Sequence, residues 1–428
     1  MSVKLKFIQW SLSVIMGIGL TWACQRSPQI PTASTVPPTL LISYLHTMDP
    51  QEATRLLEKL LAYPMPDLLS ALKAPRHYSV GPTGRLAGHT LSVHGKQYEY
   101  GLYVPNTYHP AQAYPLIICL HGAGFNGDSY LDRWQPRLGE RYLLVCPSFE
   151  GAAWWTREAE ELVIAVYGEI TRNYHVDLDR VFLTGMSNGG IGTYLIGLNH
   201  ADLFAGLIPM AGALPGSLMS LLDNAQTTPF YLIHGAKDQI IPSKYSQAVD
   251  AYLLKLGYSV VYREHTQIHP AAGGHFFPRE ELPALIGWME KQRRTPNPRQ
   301  ITVVRDRDHP GRDYWIRIDE IGPEVGSFWA SEEDPEEAKR LGEGHYARME
   351  ARIGQDNLIE ITSSHVRRIT VLLNHHLLDL NRPVRIVTNG RVSFEGMASP
   401  DSGVLLEEAR QRPDPENLVS AAIDIVVN

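Results

Sequence analysis

Residues 181–190 read Val181-Phe182-Leu183-Thr184-Gly185-Met186-Ser187-Asn188-Gly189-Gly190: a short apolar run set directly against a glycine-framed serine. Continuous apolar character suits a strand buried on both faces, and the glycines end it. The G-x-S-x-G spacing predicts a strand, a sharp turn carrying Ser187, and a helix from Gly189. Such a turn holds its serine in a strained conformation, and small neighbours let backbone and substrate approach closely. A serine hydroxyl is a weak nucleophile unaided. The pattern therefore demands a base and an acid farther along the chain.

The surrounding sequence alternates strands with helices. Residues 98–104 alternate like an early strand, and residues 115–120 and 142–146 are short continuous apolar runs of the buried parallel kind. Residues 160–174 place Leu162, Val163, Val166, Tyr167 and Ile170 on one helical face. Strands are expected at 207–211, 230–234 and 260–263, and helices at 243–256 and 280–292. This alternation predicts an α/β class with a doubly wound, mostly parallel sheet over residues 78–294. Cys119 and Cys146 fall on neighbouring strands of that scheme and read as buried thiols.

The flanks differ. Residues 1–24 place Lys4 and Lys6 ahead of a mostly apolar run that ends at Ala23-Cys24, the layout of an export signal. The segment resembles a bacterial lipoprotein signal, which makes Cys24 the lipidation candidate and implies membrane anchoring through it. Thr21 and Trp22 depart from that family's usual box, so a plain cleaved signal or an uncleaved anchor stays open. The expected location is exported: periplasmic, a cell-envelope lipoprotein, or secreted. Residues 25–48 are rich in Pro, Ser and Thr and read as a tether. Residues 49–77 form a helical extension, with Asp49 as cap, Pro50 at the first position and Glu52 completing a capping box. Beyond a Pro-containing linker near 291–299, residues 300–428 read as a β-rich accessory domain, with a hairpin turn at Asn389-Gly390. There Glu332, Glu333, Asp334, Glu336 and Glu337 read as a solvated acidic face. His375 and His376 fall on a stretch read as strand and would point to opposite faces. Trp315 and Trp329 read as core residues.

A net charge of −7 without basic runs argues against nucleic acid as a partner. Three cysteines do not make a disulfide framework. No metal-ligand spacing appears, and the chemistry expected below needs no cofactor.

Three segments support the serine. Leu120-His121-Gly122-Ala123-Gly124-Phe125-Asn126-Gly127 follows the 115–120 strand. Acyl transfer needs backbone N–H groups aimed where oxyanion charge develops, and Gly122, Ala123, Gly124 and Asn188 are the candidates. His234-Gly235-Ala236-Lys237-Asp238 delivers Asp238 at a strand's C-terminal end, where open α/β sheets build their sites. Gly273-Gly274-His275 supplies a base, with His265 and His269 as weaker alternatives. The order Ser187, Asp238, His275 completes a triad. Trp154 and Trp155, on a loop after the 142–146 strand, are candidates for substrate contact or for packing.

On these segments, residues 95–294 resemble the α/β-hydrolase superfamily. The likeness is to the branch holding phospholipase/carboxylesterase-like enzymes, feruloyl and acetyl-xylan esterases, polyhydroxybutyrate depolymerase-like enzymes and prolyl-oligopeptidase-like peptidases. The resemblance implies Ser187 as nucleophile, Asp238 as acid and His275 as base. The expected activity is hydrolysis of a small-molecule or polysaccharide-linked carboxylic ester through an acyl-enzyme. A serine peptidase of prolyl-oligopeptidase type, or a non-catalytic surface binding protein on a hydrolase scaffold, are the alternatives.

Overall fold

The structure, a computed structural model, describes residues 35–427 except Met48, His77 and Ala152. The signal-like segment, Cys24 and the first part of the tether lie outside the described residues. No helix among the described residues is long and apolar enough to cross a membrane.

Helices α1 (Pro38–His46), α2 (Pro50–Leu60) and α3 (Met65–Lys73) come first. The tether expected through residue 48 thus gives way to helix at Pro38. Leu41, Tyr44 and Leu45 are the reason, since they bury a face that an extended tether would leave in water. Asp49 caps α2 through Gln51 N at 2.9 Å, as its position predicts. Glu52 turns instead to Arg55 and closes no capping box.

An α/β layer follows, with strands β1 (Gly84–Val93), β2 (Lys96–Val104) and β3 (Tyr114–Leu120), then α4 (Gly127–Leu138), β4 (Leu143–Pro147) and α5 (Arg157–Asn173). Next are β5 (Val176–Met186), α6 (Asn188–Asn199), β6 (Gly206–Met210), β7 (Phe230–Gly235), α7 (Lys244–Leu256), β8 (Val260–His265) and α8 (Leu282–Met289). Eight strands form one sheet in the order β1-β2-β4-β3-β5-β6-β7-β8. The β1–β2 and β2–β4 pairings are antiparallel, and every pairing from β4 through β8 is parallel. The pleat sorts β3 between two helical layers. Leu116, Ile118 and Leu120 join a core with α5 and α6, while Ile117 and Cys119 join one with α4 and α8. That two-sided burial explains why β3, β4, β6 and β7 read as unbroken apolar runs. Cys119 and Cys146 are buried free thiols on the paired strands β3 and β4.

The remainder is β-rich: β9 (Gln300–Arg305), β10 (Gly311–Asp313), β11 (Ile316–Ile321), α9 (Pro335–Gly342), β12 (Ala347–Ile353), β13 (Leu358–Ser364), β14 (Val366–Leu373), β15 (Val384–Thr388), β16 (Arg391–Gly396), α10 (Ser402–Gln411) and β17 (Ala421–Val426). Two sheets, β10-β11-β14-β17 and β16-β15-β13-β12-β9, share one core containing Val303, Met349, Ile316, Ile369 and Ile423. Asn389 and Gly390 both have positive φ, at 50° and 78°, and join β15 to β16 as the dipeptide predicts. Trp315 is buried, its Nε1–H donating to Pro298 O at 2.7 Å.

Two expectations here are corrected. Glu337 is buried, not solvated: it accepts Ser327 N at 2.8 Å and pairs with Arg307 and Arg340, each at 2.9 Å. His375 and His376 lie in a turn past the end of β14, with ring centroids 4.0 Å apart, so strand alternation does not separate them.

Polar side chains hold this β-rich part against the first sheet's helices. The Asn224 amide both donates to Val304 O at 3.0 Å and accepts Val304 N at 2.6 Å, finishing the free edge of β9. Arg305 Nη2 donates to Asn199 O, and Arg348 and Arg412 pair with Asp223 and Asp202. Glu160 on α5 bridges His200 at 2.8 Å and His309 at 2.9 Å, while His309 also pairs with Asp306. Burial by itself would strip the His309 proton. The Asp306 and Glu160 carboxylates overcome that and push its pKa up to about 10. Burial likewise opposes the Glu160 charge, yet the two histidines hold this carboxyl well below its usual range.

Candidate active site

Ser187 sits between β5 and α6 with φ 59° and ψ −120°, a conformation a non-glycine residue adopts at a cost. Its neighbours show why the glycines are there. A Cβ on Gly189 would stand 2.1 Å from Leu120 O, and one on Gly185 would stand 2.2 Å from Gly189 O. The turn is thus pressed against the end of β3, and a larger residue would force the two apart.

The loop after β3 carries Gly122, Ala123 and Gly124. Gly124 turns at φ 79°, and a Cβ on Gly122 would lie 3.7 Å from Ser187 Cβ, so loop and serine turn are in contact. Asn188 is the first residue of α6, at the end where a helix directs its backbone N–H groups outward. The positive end of the helix macrodipole adds to their pull on developing negative charge.

Asp238 follows β7. Its Oδ1 accepts the N–H groups of Ile240 and Ile241, each at 2.9 Å, and its Oδ2 lies 2.7 Å from His275 Nδ1. Both side chains are nearly sealed from water. With Nδ1–H donated to Asp238, a neutral His275 ring carries its lone pair on Nε2. His265, one alternative base, is buried and donates from Nε2 to Phe276 O at 3.0 Å, so it braces the His275 loop. His269, the other, lines the cavity, and its Nδ1 accepts Ala271 N at 3.2 Å. Of the three candidate bases it is His275 that pairs with Asp238, whose Oδ2 also lies 3.3 Å from Nε2 of the buried His234.

A cavity of about 790 Å³ opens here, lined by Gly122, Ala123, Ser187 and His275, with aromatic walls from Phe125, Trp134 and Phe277. Its lining residues all lie between 122 and 280. Among the described residues, the β-rich part therefore contributes nothing to its wall.

Trp154 is corrected as a substrate contact. It has no exposed surface, its Nε1–H donates to His121 O at 2.8 Å, and its N–H donates to Asn188 Oδ1 at 3.1 Å. It props the loop and the helix start from behind. Trp155 packs half-buried on the same core and is not among the cavity-lining residues. His121 was not singled out from the sequence, although it stands beside the glycines at the strand end. Its Nε2 accepts Phe149 N at 3.0 Å, and its Nδ1 lies 2.9 Å from Gly122 O. Burial lowers its pKa, so the ring is held neutral.

The sequence pattern of the phospholipase/carboxylesterase family matches residues 155–285, the stretch that carries Ser187, Asp238 and His275. The chain belongs to the α/β-hydrolase superfamily. The chain is 28% identical over 185 residues to "Probable feruloyl esterase C" of Aspergillus clavatus, covering 40% of its own length and 65% of the relative. Against the Aspergillus niger protein of the same name it is 28% identical, covering 38% and 62%. The chain thus spans slightly under two thirds of the curated relatives it matches. Among solved structures, a thermostable esterase aligns at TM-score 0.42 and 24% identity, over 49% of this chain and 63% of that chain. A ferulic acid esterase of Anaeromyces mucronatus aligns at TM-score 0.36 and 16% identity, over 45% and 87%.

Proposed function

We propose that this α/β-hydrolase cleaves carboxylic esters through an acyl-enzyme, with Ser187 as nucleophile, His275 as base and Asp238 as acid. One observation carries the reading: the 2.7 Å contact between His275 Nδ1 and Asp238, at the wall of the cavity that Ser187 and His275 share. His275 Nε2 takes the hydroxyl proton as Ser187 Oγ attacks the acyl carbon. The oxyanion is held by the Asn188 N–H and by N–H groups of the Gly122–Ala123–Gly124 loop. Collapse of the intermediate expels the alcohol, which His275 protonates, and water repeats the sequence to free the acid. The ester preference follows the names of the curated relatives, and the aromatic wall suits a flat acyl or alkoxy group.

In the same reading, residues 78–294 are the catalytic domain and residues 300–428 an accessory domain clamped to its helices. Residues 1–24 export the protein, with Cys24 as the lipid-bearing residue.

Purified protein and Ser187→Ala, exposed to a fluorophosphonate probe and assayed on 4-nitrophenyl esters and a peptide panel, test the proposal. Labelling and ester turnover should both depend on Ser187, with activity falling by about 10⁴–10⁶ in the variant. Equal labelling of the two proteins would remove Ser187 from the mechanism. Peptide cleavage without ester turnover would convert the enzyme to a peptidase.

A further inference from the structure

Helix α4 sends four side chains towards the cavity: Tyr130, Arg133, Trp134 and Arg137. Arg133 and Arg137 are four residues apart, which places two cations on one helical face, an arrangement that destabilises an isolated helix. Arg279, just beyond the His275 loop, brings a third guanidinium to the same cavity. Among the described residues, none of the three is ion-paired with a carboxylate. The acidic lining residue, Glu280, is exposed and pairs with none of them.

Arg137 is the distinctive member. It is half-buried, and its Cζ lies 5.0 Å from the Phe277 ring centre and 5.8 Å from that of Trp134. Those two rings stack at 5.9 Å, and Phe277 is two residues from His275. Arg133 likewise lies 4.3 Å over Phe125, on the loop that bears the candidate oxyanion donors. Aromatic faces pin a guanidinium flat and leave its N–H fork directed outward. Burial, with Arg279 and Arg133 nearby, pulls the Arg137 pKa below the ordinary arginine value, Tyr130 opposing. A cation held that way without a counter-charge is poised to receive one.

We propose that the substrate is a carboxylate-bearing ester, its free carboxylate gripped by Arg137 with Arg133 and Arg279 while Ser187 attacks the ester carbonyl. The inference rests on the ester-hydrolase reading above and adds the charge of the substrate to it. A carboxylate is a ligand that two parallel N–H groups of one guanidinium match, and it is the anion an ester substrate most simply carries. The free carboxylate belongs either to the acyl part, as in a dicarboxylic half-ester, or to the alcohol part, as in an ester of a hydroxy acid.

Three esters separate these arms: 4-nitrophenyl butyrate as the neutral reference, the 4-nitrophenyl half-ester of glutarate, and 4-carboxyphenyl butyrate. One of the charged esters should exceed the neutral one in kcat/KM, and added salt should reduce that advantage. Arg137→Gln should cut the charged-to-neutral ratio by about 10–100-fold, the worth of a charge-assisted hydrogen bond, and Arg137→Lys should restore part of it. A wild-type ratio at or below one that Arg137→Gln leaves unchanged overturns the inference and leaves ester hydrolysis standing. If no ester is turned over, the ester reading fails, and calorimetry decides the anion site separately. There, glutarate or 4-hydroxybenzoate should bind the Ser187→Ala protein and bind at least about tenfold more weakly once Arg137→Gln is added. Absence of binding by both acids, or equal binding with and without Arg137, overturns it. Circular dichroism and melting of each variant exclude loss of fold as the cause.

Discussion

The Phe149 N–H points at Nε2 of His121 from 3.0 Å and thereby decides which ring nitrogen carries the proton. Nε2 must accept, so Nδ1–H donates to Gly122 O at 2.9 Å. A buried neutral imidazole thus ties the strand β4 side of the sheet to the loop beside Ser187. His121→Phe keeps an aromatic ring there and loses both hydrogen bonds. We expect kcat for 4-nitrophenyl butyrate to fall by about 10–100-fold with KM little changed, less than the ~10²–10³ of losing an oxyanion donor outright. An unaltered kcat would mean the loop holds its shape without the histidine.

Ser187 at φ 59° stores conformational strain that glycine would not. Ser187→Gly should abolish turnover and also stabilise the fold. Relief of ~1–3 kcal/mol, set against the chain entropy glycine adds, leaves about 1 kcal/mol relative to Ser187→Ala. Denaturant midpoints of the two variants provide the comparison, and a less stable glycine variant would show that the turn is unstrained.

Gly189 packs its α-carbon against the end of β3, with no room for a methyl. Gly189→Ala must part α6 from the strand, at a cost of about 1–3 kcal/mol. Ester turnover should drop with it, because the displaced elements carry Ser187 and the candidate oxyanion donors. A variant with unchanged melting and activity would contradict the packing described.

The His309–Glu160 pair gives the fold a pH signature. His309 has a raised pKa, so its contribution is whole below 6.5 and is lost as pH rises through about 10. Glu160 has a depressed pKa, so its contribution is whole above 4.5 and is lost as pH falls from there through the lowered value. Both act fully between 4.5 and 6.5. Stability should therefore decline from near neutrality towards pH 10. His309→Gln should flatten that slope and cost about 3–5 kcal/mol at pH 6, because it leaves Glu160 and Asp306 buried without their shared cation. Thermal melts of both proteins across pH 5–10 read the effect, and parallel slopes would remove His309 as its source.

How far the sequence reveals this arrangement depends on the distance over which each residue finds its partner. Ser187 is legible because its glycines are adjacent and serve the same turn. His275 is legible because Gly273 and Gly274 flank it and the order after Ser187 and Asp238 is diagnostic. The tie between Glu160 and His309 spans 149 positions and leaves no local pattern. Glu337 misleads for a related reason: a run of acidic residues looks uniformly solvated, yet Arg307, thirty positions away, draws one of them inside. Helix α1 is obscured by the prolines before it, although its apolar face at Leu41, Tyr44 and Leu45 shows helical spacing. Trp154 reads equally as contact or prop until the His121 carbonyl it reaches is known.

The three N-terminal helices have a delayed partner. Leu41, Tyr44, Leu56 and Leu68 share their core with Leu405, Leu406 and Leu418, and Arg410 donates to Thr47 O at 2.8 Å. Synthesis proceeds from the N-terminus, so residues 36–72 leave the ribosome long before the surface they need exists. Their leucines must stay uncommitted while more than three hundred residues fold between them and α10. The eight-stranded sheet can close before α10 exists, but this cluster cannot, and its assembly joins the two ends of the described chain into one body.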